Sequence, residues 1–167
     1  MSRTLVLGIG NSLLMDDGAG VHAAAQVKAA VGAADPSLQV LDAGTLGFAL
    51  LPQVQDCTAL IVVDAAREGL APGTVSVREG AYMDAFVCRR GRSVHEVGLA
   101  DLLDMARLSG RLPSHRALIG IEPASVDWGV DCTPAVASAL PLAVARVLEL
   151  LARWHVTASA DEVPLAT

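Results

Sequence analysis

Two adjacent carboxylates, Asp16 and Asp17, follow the glycine turn Gly8-Ile9-Gly10-Asn11 and stand at the mouth of a helix. Three more acids sit where apolar runs stop: Asp42 after residues 38–41, Asp64 after 59–63, and Glu122 after 117–121. In open α/β sheets ligands collect at the carboxyl ends of strands, so these acids would line one edge. Carboxylates held close together repel and raise one another's pKa, and such a cluster needs a use.

Three uses compete. The acids can cap helices and turns, as Asp readily does; Asp42 before Ala43-Gly44-Thr45 fits that role, and Asp16 or Asp17 can cap the helix that begins near Gly18. They can border a dinucleotide site, since Gly8-Ile9-Gly10 follows a strand. The third fingerprint glycine would fall on Leu13, however, and a pyrophosphate would meet Asp16 and Asp17. The third use is a cation or water site made of carboxylates and an imidazole, a donor set that suits nickel, zinc or manganese. Four histidines are available. His22 lies within a helix, His115 precedes a strand, and His155 sits near the end of the last helix. His95 stands apart, in Ser93-Val94-His95-Glu96-Val97-Gly98-Leu99, between a long loop and a helix start. No H-E-x-x-H is present, which excludes the usual zinc-protease helix.

The elements that must position these groups read as alternating strands and helices. Strands are predicted over residues 4–7, 38–42, 59–64, 74–78 and 117–121. The runs at 59–64 and 117–121 are apolar without alternation, as strands covered on both faces are. Helices are predicted over 18–31, 48–54, 97–108 and from Pro134 to Trp154, with proline in its favoured place at a helix start. Residues 80–94, which carry Cys88, Arg89, Arg90 and Arg92, show little periodicity and read as a long functional loop, its arginines solvated or facing a partner. The strand at 74–78 follows Asp64 too soon for a helical crossover, so it runs antiparallel. The fold class is α/β: a three-layer sandwich with a mixed, mostly parallel twisted sheet of about five strands and helices on both faces.

With 167 residues the chain fits one domain, read as 1–156 followed by a flexible tail over 157–167. Its net charge of −6 and lack of a basic cluster argue against nucleic acid. The apolar run from Pro134 to Trp154 is long enough to span a membrane, but Pro141, Arg146, Glu149 and Arg153 favour a buried helix and no membrane. Cys57, Cys88 and Cys132 lack C-x-x-C spacing and read as reduced thiols in a cytoplasmic protein; monomer is the default state. No Ser-His-Asp or Cys-His pairing can be inferred.

The segments Gly8-Ile9-Gly10-Asn11 through Asp16-Asp17-Gly18-Ala19-Gly20-Val21, Leu41-Asp42-Ala43-Gly44-Thr45 and Leu60 to Ala65 come in an order, at a length, that resembles one family. Ser93 to Leu99, Gly120-Ile121-Glu122-Pro123 and Thr133-Pro134-Ala135-Val136 complete the set. The resemblance is to the nickel-iron hydrogenase maturation proteases and covers nearly the whole chain except the tail. It implies an aspartic-type, metal-dependent endopeptidase that removes the C-terminal extension of a nickel-loaded hydrogenase large-subunit precursor. The metal-contacting residues would be Asp17, Asp64 and His95, with Asp17 and Asp64 as candidates for activating water. The family most often has glutamate at the position of Asp17, so this chain reaches one methylene less far, and Asp16 could substitute. The nickel would belong to the substrate and be contacted only in passing. The resemblance also implies that cleavage lets the large subunit close over its metal and join the small subunit. The alternative is a non-enzymatic nickel-binding chaperone for hydrogenase assembly, and a constitutive metallohydrolase is a further enzyme reading.

Overall fold

Strands β1 (Thr4–Ile9) and β3 (Ala59–Ala65) carry almost no polar side chains, and helices cover both of their faces. The computed structural model describes residues 3–45, 47–90 and 94–161, with the side chains of 94–97 and 156–161 outside that description. Three more strands, β2 (Leu38–Gly44), β4 (Val75–Glu79) and β5 (His115–Ile121), complete one sheet of order β2-β1-β3-β5-β4. Every neighbouring pair is parallel except β4 with β5. The sheet is therefore mixed and mostly parallel, as the sequence predicts, with the antiparallel strand at the edge.

Alternate residues of the central strands feed two separate cores, because successive side chains in a strand point to opposite faces. Val6, Ile61, Val63 and Ile119 pack under α1 (Ala19–Val31) and α5 (Pro134–Asp161). Leu5, Leu7, Leu60, Val62 and Leu118 pack under α2 (Leu51–Asp56), α3 (Gly80–Arg89) and α4 (Val94–Leu108). Each fully buried Leu, Ile or Val contributes about 1.5–3 kcal/mol relative to exposure. In α5, Val136, Ala139, Ala143, Val147, Leu150 and Trp154 recur at helical spacing and are buried. Pro134–His155 is apolar and long enough to cross a membrane by length and composition alone, and this stripe seats it against α1 and β5.

Two predicted features differ. Residues 80–89 form α3 rather than a loop. Met83 and Val87, one turn apart, are its buried anchors, and Gly80 with φ of 54° starts the helix abruptly after β4. The last helix also runs to Asp161, into the stretch expected to be a tail. Residues 162–167 lie outside the description.

Candidate active site at the switch point of the sheet

The chain leaves β1 toward β2 on one side and, after β2, crosses to β3 on the other. The crevice beyond the carboxyl ends of β1 and β3 is thus the point where strand order reverses, the usual ligand position in such sheets. Asp17 and Asp64 occupy it. Asp64 is the penultimate residue of β3, pairs in register with Gly120 and is 5% exposed. Asp17 lies in a 3-10 turn, Met15–Gly18, that packs against β3. Its Oδ2 accepts the backbone N–H of Asn11 at 2.9 Å. Gly10 is what allows this turn: its φ is 135°, and a Cβ there would come within 1.9 Å of the Asp17 carbonyl oxygen.

Asp16 does something else. It is 0% exposed. Its Oδ1 accepts the N–H of Thr133 at 2.7 Å, and its Oδ2 accepts the N–H groups of Ala124 (2.8 Å) and Ser125 (3.0 Å) and the Thr133 hydroxyl (2.8 Å). Burial pushes its pKa up, but the hydrogen bonds from Ser125, Thr133 and Ala124 outweigh burial and hold it below the ordinary carboxylate value. Neither Asp16 nor Asp17 caps α1, contrary to the local expectation; Gly18 is at that cap position, and no side chain bonds there. With no exposed surface and both oxygens engaged by donors within the fold, Asp16 is a poorer stand-in for Asp17 than the sequence suggests. Asp16 instead ties the 3-10 turn to the loop between β5 and α5.

The residue before these acids is strained. Met15 has φ of 42°, the one positive value outside glycine among the described residues, a conformation that costs about 1–2 kcal/mol. It is held by its N–H donating to Gly129 O at 2.8 Å, and by Asp16 N–H donating to Ser125 O at 3.1 Å.

The other acids have local structural tasks. Asp42 Oδ1 accepts the Gly44 N–H at 2.9 Å, the turn role that its sequence context suggests. Glu122 is 7% exposed, and its Oε2 accepts the Glu68 N–H at 2.6 Å, bracing the loop that follows Asp64. Arg90 is not simply solvated. It donates to the Ala65 carbonyl at 3.3 Å and lies over Phe86, whose ring Arg78 also approaches, at 3.8 Å. Sequence reasoning missed Thr133, Phe86 and Arg90 as supports of this edge. For Thr133 a signal existed, because it immediately precedes the proline that opens α5.

His95 belongs to the first turn of α4, and its side chain is outside the described residues. The backbone there is near the same edge. Gly98, one turn on, meets Gly47 in the loop after β2 so closely that a Cβ on Gly47 would come within 2.8 Å of the Gly98 Cα. Among the described residues no three His, Cys, Asp or Glu side chains form a ready metal cluster. Two of the three thiols are ill suited to nucleophilic attack: burial pushes Cys57 up to about 12, and burial with the neighbouring Asp16 and Asp131 raises Cys132.

Fold and site together define a doubly wound α/β protein with a carboxylate-lined crevice at its switch point. A family model described as hydrogenase maturation protease, HycI, matches residues 21–150. The hydrogenase expression/formation protein HupD of Bradyrhizobium diazoefficiens is 36% identical over 166 residues, covering 99% of this chain and 86% of that protein. The hydrogenase 2 maturation protease of Escherichia coli is 33% identical over 150 residues, covering 89% and 90% respectively. Among solved structures, the hydrogenase maturating endopeptidase HybD from E. coli matches with a TM-score of 0.84 at 31% identity, over 90% of this chain and 93% of that one. The chain belongs to the hydrogenase maturation protease family.

Proposed function

We propose that this protein is the endopeptidase that removes the C-terminal extension from the nickel-loaded large-subunit precursor of a nickel-iron hydrogenase, acting in the cytoplasm as a monomer. The observation that carries this reading is the placement of Asp17 and Asp64 on one edge, at the switch point, by two different elements. In this reading Asp17, Asp64 and His95 contact the nickel that arrives in the precursor, so the scissile bond is presented only when metal is in place. Two carboxylates and one imidazole leave coordination positions to the substrate's own ligands. A carboxylate at Asp17 or Asp64 takes the proton from the attacking water as the water oxygen bonds to the scissile carbonyl carbon. The proton then passes to the leaving amine. No thiol or hydroxyl nucleophile is needed, and the raised Cys57 and Cys132 thiols agree with that.

The test is incubation of purified protein with nickel-loaded precursor, with mass spectrometry reading the released peptide. Wild type releases one C-terminal peptide and Asp17→Asn does not. Tight nickel binding by the isolated protein without any release would instead support the assembly-chaperone reading.

A further inference from the structure

The loop between β5 and α5 exposes large apolar side chains beside the catalytic edge. Trp128 is 82% exposed, Val130 60% and, across a short parallel bridge, Leu13 54%. The segment that carries them is fastened. Gly129 N–H donates to Leu13 O at 2.9 Å, Met15 N–H donates to Gly129 O at 2.8 Å, and the buried Asp16 carboxylate holds both flanks of the loop through Ala124, Ser125 and Thr133. The patch is thus rigidly continuous with the turn that carries Asp17. A preorganised tryptophan ringed by smaller apolar groups is the usual anchor of a protein interface, because little entropy is lost on docking. Its surroundings are acidic. Asp127 and Asp131 are exposed on either side of Trp128, and among the described residues neither pairs with a cation. The whole chain carries a net charge of −6.

We propose that Leu13, Trp128 and Val130 form the docking surface for the protein substrate, receiving a segment in which an apolar side chain is neighboured by lysine or arginine. The apolar side chain covers the Trp128 ring, and the basic neighbour answers Asp127 and Asp131. This rests on the proteolytic reading above and adds to it a place where the substrate is held before its bond reaches Asp17 and Asp64. Long-range attraction between acidic rim and basic segment speeds encounter and makes it depend on salt.

The chain has two tryptophans, and Trp154 is only 8% exposed, so the difference between the wild-type and W128F fluorescence titrations reports Trp128. Nickel-loaded precursor is titrated into wild type, W128A, W128F and the double variant D127N/D131N, and cleavage is followed in parallel. We expect a blue shift in wild type and a rise in KM of about tenfold or more in W128A with kcat unchanged, the range of a hot-spot tryptophan. W128F restores most of the affinity, and D127N/D131N raises KM and flattens its salt dependence. Wild-type cleavage with no blue shift and an unchanged KM in W128A overturns the docking surface and leaves the protease reading intact. A blue shift lost in W128A, without release of any peptide, leaves the docking surface standing and removes the protease reading. Self-association that W128A abolishes, with no effect on precursor, overturns the proposal in favour of a second copy as occupant.

Discussion

Asp16 Oδ1 accepts the backbone N–H of Thr133 at 2.7 Å, across 117 residues of sequence. That contact, with three others to the same carboxylate, joins the turn after β1 to the start of α5. Asp16→Ala leaves the backbone N–H groups of Ala124, Ser125 and Thr133, all partly buried, without their acceptor. The expected cost is about 3 kcal/mol, from the loss of four hydrogen bonds to one charged acceptor. Urea unfolding at neutral pH measures it.

The same carboxylate makes stability depend on acid. Its folded pKa is below the ordinary 3.8, so the unfolded chain binds the proton more readily. The stabilisation is full above that ordinary value and is lost as pH falls through the folded value. Asp84 acts in the same direction, its pKa lowered first by the hydrogen bond from Arg116 and then by the charges of Arg116 and Arg107. Urea midpoints should fall below about pH 4 in wild type. Asp16→Asn, weaker at neutral pH, should show a smaller acid-dependent drop. An equal drop in both would show that Asp16 is not the group responsible.

Local rules made the strands, the two-faced burial and the antiparallel edge legible, because β1 and β3 announce themselves by unbroken apolar runs. They misread Asp16, since proximity to α1 suggested a cap while its true partners are more than a hundred residues away. Helix α3 was hidden for a related reason. Only Met83 and Val87 are fully buried along it, too narrow a stripe to stand out among the exposed Tyr82, Cys88 and Arg89. The carboxylates themselves were readable as strand-end acids. The structural tasks of Asp16 and Glu122 were not readable, because they follow from backbone partners that only the folded chain brings near.

Gly10 limits the shape of the site. In Gly10→Ala the new methyl would overlap the Asp17 carbonyl, which lies 1.9 Å from the ideal Cβ position. The turn has to move and carry Asp17 with it. We expect stability to fall by about 2–3 kcal/mol and peptide release to fall at least about tenfold, since small misplacements at a reacting centre are costly. Thermal unfolding and the release assay separate the two effects.

Thiol chemistry should leave cleavage untouched. Iodoacetamide at neutral pH should label the exposed Cys88 first, while Cys57, buried and pushed up to about 12, stays unmodified. Labelled protein should release peptide at the wild-type rate. Inhibition that tracks the labelling of Cys132 would point to a thiol mechanism and against water activation by carboxylate.

The most direct measurement compares peptide release from nickel-loaded and nickel-free precursor by wild type, His95→Ala and Asp17→Asn. Release is expected from the loaded precursor alone, lost in both variants, with their folds intact by circular dichroism. Equal release from the nickel-free precursor, or an undiminished rate in His95→Ala, would contradict the reading that Asp17, Asp64 and His95 inspect the substrate's metal before the bond is cut.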